Sequence, residues 1–276
     1  MIPRALRGRA TAPAAVVLVL LLAYVLLWPA VSPYDSQAID LDGGRQGPSL
    51  AHPLGTDQFG RDLLTRLAAG GRTSLLIAGG ALAVILLLGW AYGMAAALAG
   101  GRVDATMMRA VDGLLAIPRL PIAIIVLVLL GFQAQNVWAT VLALSVGGWM
   151  LTARLVRGHV LTVKTRDYVR ASRAAGARWG YVARRHVVPN SAGVVLVAAL
   201  LELPAVVVGE AFLSLLGVGP QAPIATWGSI AYEGWRFSRT REMALATAAI
   251  ALFAVCANVL ADAFGDALDP RRGPAA

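Results

Sequence analysis

The chain has 276 residues, of which 58% are apolar and only 14% charged, with a net charge of +9 and a single cysteine, Cys256. Soluble domains carry roughly 25% charged residues, so this composition excludes a soluble enzyme, a disulfide-stapled secreted scaffold and a disordered chain. Apolar runs long enough for the roughly 20 helical residues that cross a bilayer recur along the sequence, which marks a polytopic membrane protein.

In chain order, residues 14–31 (AAVVLVLLLAYVLLWPAV) hold no charge, and their length and lack of an A-x-A-like cleavage site predict a first spanning helix rather than a signal peptide. Further spans are expected at 73–99, 113–131 (interrupted by Arg119), about 136–153, 192–217 and 243–261. These runs do not alternate apolar with polar residues, so a transmembrane barrel is excluded and the fold class is an all-α membrane protein of six helices. Basic residues accumulate in cytoplasmic loops. With Arg4, Arg7 and Arg9 inside, six crossings place 100–112, 154–191 and the C-terminus inside too, and these four segments hold 16 of the 24 Lys and Arg residues. Both termini are therefore expected in the cytoplasm. The basic excess reads as a topology signal, since the basic loop has only Tyr168, Trp179 and Tyr181 to stack on nucleic acid.

The first external loop, 32–72, contains HPLGTDQFGRD from His52 to Asp62. Its turn formers Pro53, Gly55 and Gly60 fit two readings, a surface loop capped by Asp57 or a docking or gating element at the external mouth. Gly89 and Gly93 form a GxxxG in the second span, either a helix-packing face or glycines that a membrane helix merely tolerates. The segment from Arg154 to Pro189 is too long for a connector. It carries nine basic residues and one acid, Asp167. Tyr168, Ala171, Ala174 and Ala175 recur at helical spacing, Gly176 interrupts and Pro189 closes, which predicts helix, turn, helix with a coupling helix at about 166–178. Its small residues suit close seating in another protein's groove.

That segment resembles the EAA loop of binding-protein-dependent ABC import permeases, with its Gly and Pro spacing falling on Arg170, Ala171, Ser172, Gly176, His186, Val188 and Pro189. Arg170 stands where the family has Glu, Ser172 where it has Ala, and His186 where it has Ile. HPLGTDQFGRD with Arg66, Arg72 and Ser74, then Trp149, Ala153, Arg154, Arg157, Gly158 and Leu161, then EAFLSLLGVGPQAPIATWG at 210–228 and the closing DALDPRR at 266–272 are similar to the C-type permease subunit of dipeptide, oligopeptide and nickel importers. The resemblance implies an N-terminal segment over residues 1–72, a permease domain over 73–272 and a tail over 273–276, in a bacterial inner membrane. It also implies a homologous permease, two cytoplasmic ATPase subunits and an external substrate-binding protein as partners, a peptide as substrate, and Arg170, Ala171, Ser172, Ala175, Gly176 and Pro189 as the ATPase-coupling residues. Closure of the ATPases on ATP would push the coupling helices together and turn the spans outward. A nickel permease is the alternative, but it would want His or Met along the route, and Met94, Met107, Met108, Met150 and Met243 are scattered.

Chemistry of its own is not expected. Gly158, Lys164 and Thr165 approach a phosphate-binding loop, but Val163 occupies a position that needs glycine. His52, His159 and His186 sit in different segments and form neither a metal site nor a triad, and neither HExxH nor GxSxG occurs. No catalytic residue, cofactor or metal is assigned. Arg119, Glu202 and Glu210 are charges inside expected spans. Such charges face a bundle interior or an aqueous path and find partners, so they are the candidate translocation-path residues, as a structural Arg119–Glu202 pair or as a polar lining. Pro118, Pro121 and Pro204 beside them would loosen the helices.

Overall fold

Backbone groups removed from water must satisfy one another, and an apolar chain does this most simply as helices. In the computed structural model, which describes residues 10–40, 44–130, 136–220 and 222–268, ten α-helices follow in order and the described residues contain no β-strand. Arg4, Arg7, Arg9, Gly131 and positions 269–272 of the closing motif lie outside the described residues.

Helix α1 is Thr11–Val31, α2 Leu63–Ala99, α3 Gly101–Leu115, α4 Arg119–Leu129 and α5 Val137–Lys164. They are followed by α6 (Asp167–Ala174), α7 (Trp179–Val182), α8 (Val188–Leu215), α9 (Trp227–Arg236) and α10 (Thr240–Leu268). Five helical runs are long and apolar enough to cross a membrane, and a sixth is the bent α3–α4 pair taken as one span.

Three elements differ from expectation. The external loop is shorter than 32–72, because α2 starts at Leu63, where the Asp62 carboxylate accepts the Thr65 amide at 2.8 Å. Charges at Arg66 and Arg72 conceal this start in the sequence, and α2 runs for 37 residues, about 55 Å at 1.5 Å each. The third span is not one rod: α3 and α4 meet at 87°. Pro118, at the N-cap of α4, lacks an N–H and steers the residue before it away from helix, so the chain turns there. Finally, Pro189 does not end the second half of the coupling segment. A π-helical turn at Ala183–Val187 joins α7 to α8, and Pro189 lies in the first turn of α8. A wider turn relieves the clash between a proline ring and the carbonyl four residues back, so helical structure passes through.

The core forms two clusters. One is built on Ile77, Ala78, Ala81 and Ile85 of α2, with Val141 and Leu144 of α5, Val206, Val207 and Leu213 of α8, Trp227 of α9 and Phe253 of α10. The other lies where α2 and α5 end, and joins Met94 and Ala97 to Val156, Val160 and Val163, to Val169 of α6, and to Val182 and Val187. Helix α1 packs on α2 and α10, with the Tyr24 hydroxyl donating to the Leu64 carbonyl at 2.5 Å.

The α2–α5 contact is the most extensive in the molecule and runs through the GxxxG glycines. A Cβ on Gly89 would lie 2.5 Å from the Thr152 Cβ, and one on Gly93 would collide with the Ala153 carbonyl oxygen. The packing reading of that motif is therefore the one the structure adopts. Gly93→Ala should cost about 1–3 kcal/mol through forced backbone separation, seen as a lower melting temperature of the purified protein in detergent. Gly79→Ala, whose methyl meets nothing within 4 Å, should melt like the parent or slightly higher.

Candidate functional site

The EAA-like segment forms α6, a two-turn helix standing beyond the ends of α2 and α5. Val169 is its one buried residue, 1% exposed and set into the second core cluster. Arg170, Ala171, Ala174 and Ala175 are exposed, as is Gly176, and Ser172 is half-buried. The helix stops because Gly176 takes φ +87°, a conformation that disfavours a side chain. Its amide reaches the Arg173 carbonyl at 3.0 Å while the Ala177 amide reaches Ser172 at 3.1 Å, the paired closure of a Schellman end. Five of the six expected coupling residues thus share one small helix and its cap, and Pro189 stands apart on α8.

The basic residues around α6 are partly spent on internal bonds. Lys164 Nζ donates to the Ala97 carbonyl at 2.7 Å, closing the end of α2, and lies 4.7 Å from the centroid of the Trp179 ring. Arg173 stacks on the same ring at 4.8 Å. Arg157 and Arg154, expected in a loop, lie on α5 and bind α3. Arg157 grips Asp104 through Nε at 2.5 Å and Nη2 at 2.7 Å, and Arg154 donates to Asp112.

Further along the bundle, Arg119 opens α4 and its Nη2 donates to Glu202 Oε2 on α8 at 2.7 Å. The two expected partners do meet. The Glu202 side chain is 8% exposed and that of Arg119 35%. Arg119 has room because α5 offers two glycines beneath it: a Cβ on Gly147 would lie 3.1 Å from Arg119 Cγ, and one on Gly148 only 2.7 Å from Nη2. Sequence reading passed over this glycine pair, whose signal is the GG of VGGW at 146–149. Arg119 borders a cavity of about 480 Å³ between α4, α5, α8 and α10, walled by Leu120, Leu144, Pro204 and Phe212, with Asn258 as a polar group.

Glu210, grouped with these two in the sequence, does something else. It is fully buried, accepting from the Ser74 hydroxyl at 3.0 Å and from Ser214 at 2.8 Å, while the Ser74 oxygen accepts the Trp227 amide at 3.1 Å. It ties α2 and α9 to α8 and does not reach the cavity.

Within the HPLGTDQFGRD segment Asp57, Arg61 and Asp62 are buried, as is Arg66 of α2, all 5% exposed or less. Asp57 caps the loop, its Oδ1 accepting the Phe59 amide at 2.8 Å and the Arg61 amide at 3.0 Å. Its Oδ2 accepts from Arg61 Nε at 2.6 Å and Arg66 Nη1 at 2.5 Å, and both arginines continue to Glu233 of α9, at 3.1 and 2.7 Å. Burial pushes the Asp57 and Glu233 carboxyls up from their ordinary values, and Arg66 pulls both back. Glu233, 167 residues from Arg66, was invisible as a partner in the sequence. His52 closes on Asp62 at 3.0 Å.

Known proteins resemble this chain. Residues 85–274 match the model of the binding-protein-dependent transport system inner membrane component family. The dipeptide transport system permease protein DppC of Bacillus subtilis (strain 168) is 36% identical over 264 residues, covering 92% of this chain and 80% of that relative. The oligopeptide transport system permease protein OppC of Escherichia coli (strain K12) is 34% identical over 274 residues, covering 97% and 89%. Among solved structures, an inward-facing form of the MetNI methionine ABC transporter superposes with a TM-score of 0.57 at 20% identity, over 72% of this chain and 95% of that one, a likeness of fold alone.

Breaking one side of a buried ion pair costs more than removing both, because the survivor keeps its desolvation penalty. Arg119→Leu and Glu202→Leu should each destabilise the protein by roughly 1–3 kcal/mol, and the double variant should recover much of that in a thermal double-mutant cycle. Glu210→Leu should not rescue Arg119→Leu.

Proposed function

Because the chain belongs to the family of binding-protein-dependent transport system inner membrane components, we propose that it pairs with a homologous permease to form the path by which di- or oligopeptides, delivered by an external binding protein, cross the bacterial inner membrane. Two cytoplasmic ATPase subunits supply the energy, and this permease hydrolyses nothing itself. Peptide is preferred to nickel because the relatives named above are dipeptide and oligopeptide permeases.

The observation that carries the coupling step of this reading is α6: a short helix exposed except at the buried Val169 and the half-buried Ser172, presenting Ala171, Ala174 and Ala175 with Arg170 among them. Small side chains let a partner's backbone approach closely, and the arginine favours an acidic rim on the ATPase groove. Val169 is packed with Val156, Val160 and Val163 of α5 and with Val182 and Val187 at the approach to α8. A push on α6 is therefore carried into α5 and α8, two of the four helices that wall the cavity, through Leu144 and through Leu201 to Phe212. ATP-driven approach of the two ATPases moves the coupling helices of both permeases together and exchanges an inward opening for an outward one. In this arrangement α6 and the termini face the cytoplasm, and the Asp57–Arg66–Glu233 network lies at the external end. The segment 73–272 is the transporting unit.

A large side chain in the small-residue face should separate ATP turnover from transport. Ala171→Trp is expected to leave the complex assembled and ATPase-active while peptide uptake into proteoliposomes falls at least tenfold; unchanged uptake would remove α6 from the coupling interface. Orientation has its own test. In a background with Cys256, itself buried, Arg45→Cys and Trp235→Cys should react with an impermeant thiol reagent added outside intact cells, whereas Arg178→Cys should react only after lysis.

A further inference from the structure

The Arg119–Glu202 pair is only half sealed, and the open half faces a cavity. A guanidinium has five N–H donors in a planar fork, yet a single donor, Nη2, is bound to Glu202, and the others have no acceptor among the described residues. Glu202 is buried and holds the group in place, while about a third of the arginine side chain stays open. Gly147 and Gly148 leave it a floor without side chains. Arg119 is also the first residue of α4, whose start has no side-chain cap, so the unbonded amides of that first turn add their positive field to the guanidinium. The cavity alongside, about 480 Å³, falls within the roughly 300–1,000 Å³ of small-molecule sites. Apart from Arg119 and Asn258 the lining is apolar, with Leu120, Leu144, Leu201 and Phe212 in it.

We propose that this cavity is a transient binding site within the subunit for the C-terminal carboxylate of a short peptide, received by the free edge of the Arg119 guanidinium while Glu202 keeps the arginine oriented. The proposal rests on the peptide-import reading and adds to it a residue and a substrate group. A carboxylate can accept two parallel N–H bonds from an arginine already held by another acid. The apolar walls accept side chains of differing shape without selecting among them, and Asn258 offers an amide to the peptide backbone. Glu202, nearly closed off by its own partner, positions Arg119 and does not itself bind the substrate carboxylate.

The test uses the assembled permease–ATPase complex in detergent without binding protein, so that the binding protein's own preference does not enter. Saturation-transfer NMR titrations would compare alanyl-phenylalanine with its C-terminal amide. The parent should bind the free acid about tenfold more tightly, the size of one charge-assisted contact. Arg119→Leu/Glu202→Leu, which removes both charges together, should bind acid and amide alike. Arg119→Lys, which keeps the charge but loses the fork, should fall between. Equal binding of acid and amide by the parent, no binding of either, or a preference retained in the double variant would each overturn the proposal. ATP-driven uptake of the same dipeptide into proteoliposomes with binding protein supplied is measured in parallel. Uptake without the acid preference rejects the Arg119 site and keeps the peptide importer; the acid preference without uptake rejects the importer and keeps the site.

Discussion

α2 meets α5 through Gly89 and Gly93, and α5 brings the Gly147–Gly148 pair to its own neighbours; much else depends on these missing side chains. Lipid tails are as apolar as leucine, so membrane helices gain little by burying apolar surface and associate instead through close van der Waals contact. Gly89 and Gly93 let α2 approach within reach of the Thr152 Cβ and the Ala153 carbonyl, and Ile85 of α2 fills the space over Gly148. The same glycine pair on α5 leaves room for the Arg119 side chain to reach Glu202. One property, the absence of Cβ atoms along two helix faces, therefore shapes both the most extensive helix contact in the fold and the position of its central ion pair.

Charges mark three levels of this bundle and are handled differently at each. At the end bearing His52 to Asp62, Asp57 and Glu233 share two arginines in a buried network that fastens the start of α2 to α9. At the other end, Asp104 takes Arg157 bidentately and joins α3 to α5. At both ends each of these arginines binds acid through two of its nitrogens. In the middle pair Arg119 binds Glu202 through one, beside a cavity. A charge left half satisfied inside a membrane protein is costly unless something else meets it at times.

How much was legible in the sequence varies with the range of the interaction. Composition and long charge-free runs determined an all-α membrane protein, because a bilayer admits few alternatives to helices. The helical spacing of Ala171, Ala174 and Ala175 and the break at Gly176 marked α6, since capping and backbone sterics act within a few residues. Arg119 and Glu202 stood out as charges inside spans, with a mutual pair as one of two readings, because such charges need partners. Local charge misled in other places. Arg66 and Arg72 delayed the expected start of α2, and Pro189 suggested an end where a π turn carries the helix through.

What only the tertiary structure decided is which groups face each other across the bundle. Glu233 meets Arg66 from 167 residues away, Gly148 clears space for Arg119, and Glu210 finds two serine hydroxyls instead of a path to the cavity. Sequence by itself determined the helices and the membrane they need, because those follow from the cost of exposing unpaired backbone to lipid. It could not determine these meetings, because the sharp 87° turn at Pro118 and the close approach of α2 and α5 at Gly89, Gly93 and Gly148 set them in three dimensions.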